Sequence, residues 1–126
     1  MTALLDLSGS RAPRGDAQRN ALQLWQDLEQ SRGGGRVRVR LSVVDVASSD
    51  ARLLIELRRA AVESRADAVI VGTPVTAATT GFGEAARAAQ LPILLTLPAV
   101  EPVAGVGGRW VFAVGPTPEQ IARRVV

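Results

Sequence analysis

Cysteine, histidine, lysine and tyrosine are absent from this chain of 126 residues, and the aromatic set is two Trp and two Phe. These absences exclude disulfide frameworks, thiolate chemistry, zinc sites of the usual Cys/His kind, lysine Schiff bases and Ser-His-Asp triads. General-base chemistry at neutral pH would rest on Asp, Glu, Ser or Thr alone, so the chain is expected not to be an enzyme and to need no metal or cofactor. No apolar run approaches the roughly 20 residues of a membrane span. The start, Met1 to Asp6, reads as a strand rather than as a basic-then-apolar leader. Neither a Walker motif nor G-x-S-x-G occurs.

Every positive charge is an Arg, and the formal net charge is only +3. Arg32, Arg36, Arg38 and Arg40 cluster, but no aromatic lies among them to stack a base, so no nucleic-acid partner is expected. The 47% hydrophobic and 21% charged residues match a folded globular chain of one domain.

The apolar run from Ala3 to Leu7 predicts a strand, closed by Ser8-Gly9-Ser10 and then Pro13 and Gly15. From Asp16 to about Gln30 the period becomes 3.6, with Ala21, Leu24, Trp25 and Leu28 at i, i+3, i+4 and i+7. This predicts a helix that buries Trp25 and stops at Gly33-Gly34-Gly35. Val37, Val39, Leu41 and Val43 alternate with Arg36, Arg38, Arg40 and Ser42 as a period-two strand, and the arginines suit a sheet edge. Ser48-Ser49-Asp50 supplies N-cap candidates for a helix presenting Leu53, Leu54, Leu57, Ala60 and Ala61.

Ala68 to Val71 is a continuous apolar run, the pattern of a strand covered on both faces, broken at Gly72-Thr73-Pro74. Thr76 is the expected cap of a third helix lined by Ala78, Phe82, Ala85, Ala86 and Ala89. Gly81 to Ala86 reads G-x-G-x-x-A, but it is expected well inside that helix rather than directly after a strand, so a dinucleotide reading fails its context. Ile93 to Thr96 and Trp110 to Val114 predict the fourth and fifth strands, with Trp110 in core or rim. Thr117-Pro118-Glu119-Gln120 opens a last helix through a capping box with Pro at its first position.

Strand and helix alternate throughout, which predicts an α/β fold: an open, mainly parallel five-stranded sheet with helices on both faces. In such sheets ligands sit outside the carboxyl ends of the strands. The loops to watch are therefore 8–14, 45–49, 72–76, 97–102 and 115–117. Asp6 and Asp45 are expected to hold loop backbone by hydrogen bonds rather than to do chemistry.

The order of these segments is familiar. Leu7-Ser8-Gly9 after the first strand, Gly15 ahead of the first helix and the break at Gly33 to Gly35 form one part. Val43-Val44-Asp45, Ala68-Val69-Ile70-Val71-Gly72 with hydroxyls behind it, Leu91-Pro92-Ile93, and Trp110-Val111-Phe112 with Pro116 form the rest. Together they resemble the N-terminal lobe of type I periplasmic binding proteins, in particular the branched-chain amino acid branch. The resemblance covers the whole chain and about the first third of such a protein. It implies that residues 1–126 are an incomplete first lobe of a two-lobed, hinge-closing receptor in the periplasm or outside the cell. Such a receptor delivers a small amino acid-like, carboxylate or amide ligand to the permease of an ABC importer. A ligand-sensing or protein-interaction domain on the same fold is the alternative.

The resemblance also implies site residues. Ser8, Thr76 and Ala99 would contact the ligand, with Gly9, Gly72, Pro98 and Val100 shaping the pocket. Where that family commonly shows a Ser/Gly-Ala-Thr-x-Pro run, this sequence reads Leu97-Pro98-Ala99-Val100-Glu101-Pro102. Val100 removes a hydroxyl and Pro98 has no N–H to donate, a departure that fits an aromatic acid, an amide or a degenerate lobe that binds nothing, in place of an amino acid.

Overall fold

The computed structural model describes residues 1–32, 38–63, 65–75, 81–97, 108–115 and 118–125. Five strands, β1 (Thr2–Leu5), β2 (Ser42–Asp45), β3 (Val69–Val71), β4 (Ile93–Leu95) and β5 (Val111–Ala113), form one sheet in the order β2-β1-β3-β4-β5. All four pairings are parallel. The helices are α1 (Ala12–Ser31), α2 (Asp50–Val62), α3 (Phe82–Ala89) and α4 (Pro118–Val125). The chain steps from β1 outward to β2 and then crosses back to β3, so the strand order reverses between β1 and β3. In a doubly wound sheet that reversal opens a crevice beyond the strand ends.

Alternation along the strands divides the core in two. Leu4, Val69, Val71, Ile93, Leu95 and Val111 point to one face and pack with Leu53, Leu57 and Ala60 of α2 and Phe82, Ala85 and Ala86 of α3. Ala3, Leu5 and Ile70 point to the other, where Leu22 of α1 and the partly buried Leu7, Leu41 and Leu94 meet them. The continuous apolar run of β3 follows from its central place, with a helix layer on each side.

Several expectations are corrected. Trp25 is not core: it is 36% exposed, and Leu24 and Leu28 are 60% and 46% exposed. The one buried α1 residue is Gly15, and Gln18, Leu22 and Gln26 follow it at the spacing of the sheet-facing side. The apolar stripe lies about 100° round the helix from that side. The second strand is shorter than Val37 to Val43, because Arg38 to Leu41 form no ladder and pairing begins at Ser42, opposite the first residue of β1. Its place at the edge is as expected. α1 starts four residues before Asp16, at Ala12. α3 is capped by Gly81 in a left-handed conformation (φ 86°), not by Thr76. The G-x-G-x-x-A stretch therefore opens α3 rather than lying inside it, still ten residues beyond the end of β3. Trp110 precedes β5 in a single 3-10 turn (Gly108–Trp110), half-buried, with the Arg109 guanidinium 5.0 Å from its ring centroid.

Candidate functional site

The carboxyl ends of β1, β2, β3 and β4 are tied together by side chains that leave the ends of the strands. Asp6, the residue after β1, is almost wholly buried. Its Oδ2 accepts from Thr73 Oγ1 (2.7 Å) and Arg11 Nε (2.7 Å), and its Oδ1 accepts from the Ser48 N–H (2.9 Å). A buried carboxylate survives when every partner is a donor and one carries charge. Asp6 thereby joins the start of α1, the loop after β2 and the loop after β3 across the β1/β3 crevice.

Asp45 plays the matching part at the end of β2. Its Oδ2 accepts from Ser8 Oγ (2.6 Å), and its Oδ1 accepts from the N–H groups of Ala47 (2.7 Å), Leu7 (2.9 Å) and Ser8 (3.2 Å). The Ser8 hydroxyl, opposed by partial burial and aided by these backbone donors, holds the Asp45 carboxyl below its ordinary 3.8. Ala47 and Ser48 sit at φ 54° and 55°, a region that costs free energy for residues with a Cβ. Their two N–H groups are the ones that Asp45 and Asp6 capture, which offsets that cost. Ser48 Oγ completes the join, donating to the Ser8 carbonyl (2.9 Å) and accepting from the Arg11 N–H (3.1 Å). Ser49 caps α2 by accepting from the Arg52 N–H.

A third link comes from α1. Gln18 Nε2 donates to the Gly72 carbonyl (2.9 Å), and Gln18 Oε1 accepts from Thr96 Oγ1 (2.7 Å). A side chain on Gly72 would overlap Gln18 and Leu5, and a Cβ on Gly15 would overlap the Asp6 carbonyl. Gly15 needs glycine for close backbone approach rather than for dihedral freedom, while a side chain at position 72 would have to displace the ends of Gln18 and Leu5. Gly9 needs it for both reasons, with φ 81° and Ser48 against the place of a Cβ.

Three of the residues expected at the ligand site are therefore placed. Ser8 lies at the rim with its hydroxyl directed at Asp45, Gly9 packs on Ser48, and Gly72 follows β3 with its carbonyl on Gln18. Thr76, Pro98, Ala99 and Val100 lie outside the described residues. Asp6 and Asp45 hold loop backbone, as expected. The sequence reading missed Arg11, Gln18, Thr73 and Thr96. Thr73 had a signal, a hydroxyl directly after a strand-ending glycine, whereas Gln18 is one polar residue among many on α1.

Among the described residues no group of His, Cys, Asp or Glu could hold a metal ion, and no helix is long and apolar enough to cross a membrane. The sheet order, the crevice at its reversal and the hydroxyl- and glycine-rich strand ends are those of a doubly wound α/β fold. The profile of one family, periplasmic binding protein, matches residues 2–126, and the chain belongs to that family.

Solved structures agree on the fold. An extracellular ligand-binding receptor from Rhodopseudomonas palustris HaA2 superposes with a TM-score of 0.75 at 20% identity, over 98% of this chain and 32% of its own. The branched-chain amino acid transporter substrate-binding protein LivJ of Streptococcus pneumoniae, solved with isoleucine, gives 0.76 at 22% identity, over 92% and 33%. A solute-binding protein of an R. palustris ABC transporter, solved with benzoate, gives 0.75 at 25% identity, over 97% and 34%. The chain thus spans about a third of the length of these proteins. No curated protein matches the sequence.

Proposed function

We propose that this chain is the first lobe of a solute-binding protein that serves an ABC-type importer. It would bind a small amino acid-like or aromatic carboxylate ligand against a second lobe, in the periplasm or outside the cell. The observation that carries this reading is the family match over residues 2–126 on a sheet whose order reverses between β1 and β3. Thr76 and Ala99, on the loops after β3 and β4, and Ser8, after β1, are the proposed contacts, with Gly9, Gly72, Pro98 and Val100 shaping the pocket. Binding works by preference of the ligand for the closed arrangement of two lobes, without chemistry on the ligand. Isoleucine and benzoate, found in two proteins of the same fold, mark the two ligand classes to compare.

The test is a thermal-shift titration of the protein as expressed from its gene, with L-isoleucine, L-leucine, their amides and benzoate. A saturable rise in Tm with one class, abolished by Thr76→Ala, is the expected result, because a ligand that binds the native state stabilises it by mass action. No shift with any compound, or a shift indifferent to Thr76→Ala, sinks the reading.

A further inference from the structure

We infer that Gln18 is the positioning residue of this ligand site: one side-chain amide, reaching from α1, sets the places from which the loops after β3 and β4 depart. The inference rests on the proposed binding function, since it assigns those loops to the ligand. Gly72 and Thr96 are the first residues beyond β3 and β4. Thr76 and the 98–100 segment lie four residues or fewer downstream of them, so a shift at either origin carries into the contacts. Two neighbouring parallel strands fix each other only up to the last rung of their ladder, here the Thr96 N–H donating to the Val71 carbonyl (3.1 Å). Beyond that rung, among the described residues, Gln18 alone bridges the two chain ends through its side chain.

The chemistry of the amide suits the task. The Gly72 carbonyl can only accept, so it faces the Gln18 NH2 (2.9 Å), which turns Oε1 toward the Thr96 hydroxyl (2.7 Å). No other side chain of that length offers a donor and an acceptor at the two ends of one planar group. Glu would keep the acceptor and set a negative charge against the Gly72 carbonyl. Met would fill the space and lose both bonds. The glycine at position 72 fits the same design, because any Cβ there would overlap Gln18. Loss of the strut leaves Thr96 a second acceptor, the Val71 carbonyl 3.3 Å from its Oγ1, but takes the side-chain donor from the buried Gly72 carbonyl. Position and stability are therefore told apart by a control that lowers stability alone.

The experiment compares Gln18→Met, Gln18→Glu and Leu22→Ala with the unmodified protein. Leu22 is one turn along α1, packs on the Ala3, Leu5 and Ile70 cluster and has no polar atom to bond the Gly72 or Thr96 ends, so Leu22→Ala is the control for stability alone. Affinity is measured by calorimetry with L-isoleucine and with benzoate, and the backbone amides of residues 72–75 and 96–97 are followed by NMR. Both Gln18 variants are expected to weaken binding about tenfold, the worth of one well-placed hydrogen bond, and to move those amides. Leu22→Ala is expected to lower Tm and leave both readouts in place. Unchanged affinity in Gln18→Met, or an equal loss in Leu22→Ala, overturns the proposal. If neither probe binds the unmodified protein, the ligand reading fails with these compounds while the strut stays testable. Unmoved amides at 72–75 and 96–97 in Gln18→Met then overturn it separately.

Discussion

The two faces of the sheet are built on different principles. On one, α2 and α3 cover β1, β3, β4 and β5 with fifteen buried residues in a single cluster. On the other, among the described residues, α1 is the helix that lies over the middle of the sheet, and three strand residues are buried beneath it. At the β5 flank of that second face Phe112, which shares a face with Leu94 by register, is 48% exposed, and Val114 is 61% exposed. Stability therefore resides on the α2/α3 face, where burial contributes about 25 cal/mol per Å² of apolar surface. The α1 face holds its helix by polar and backbone contacts at the top: Gly15 on the Asp6 carbonyl, Gln18 on Gly72 and Thr96, Arg11 on Asp6. The same end of the sheet carries the candidate ligand site, so α1, which buries less apolar surface than α2 or α3, contributes most to placing the loops.

Substitutions on each face sharpen or break this contrast. The largest effect is expected from Phe82→Ala, which empties the centre of the α2/α3 cluster and should cost about 3–5 kcal/mol in denaturant unfolding. Next comes Gly15→Ala, expected to cost about 1–3 kcal/mol, because a methyl there must displace the start of α1 from Asp6. That would make this glycine the tightest point of the sparse face. Trp25→Ala should change stability by no more than about 0.5 kcal/mol, as for a surface residue. A loss as large as that of Phe82→Ala would show that the α1 stripe is covered in solution and would break the comparison.

The smallest effect at neutral pH concerns the rim, which belongs to neither face. Asp45 has its folded carboxyl held below the unfolded value, so its contribution to stability is fully present above about pH 4 and is lost as pH falls through the lower folded value. Urea midpoints between pH 7 and pH 2 should show Asp45→Asn flattening that acid limb while leaving the slope above pH 5 alone. An unchanged acid limb would mean that the Ser8–Asp45 link is not formed in solution.

The residues themselves determined the alternation of five strands with helices, the parallel α/β class, the edge position of β2, the double burial of β3 and the structural roles of Asp6 and Asp45. Periodicity is local information, and Asp45 takes the Ala47 N–H two residues on, but the backbone that Asp6 holds is that of Ser48, 42 residues away. Which stripe of α1 meets the sheet was decided only in three dimensions. Leu24, Trp25 and Leu28 form the better apolar pattern, yet the close approach at Gly15 fixes the rotation of the helix and turns Gln18 and Leu22 inward instead. The length of β2 was likewise set by its neighbour, because a strand is only as long as the ladder that the adjacent chain can complete. Gln18, Thr73 and Thr96 acquired their roles the same way. Their partners are 54, 67 and 78 residues away in the chain, and no local pattern distinguishes a polar side chain that will find such a partner from one that will face water.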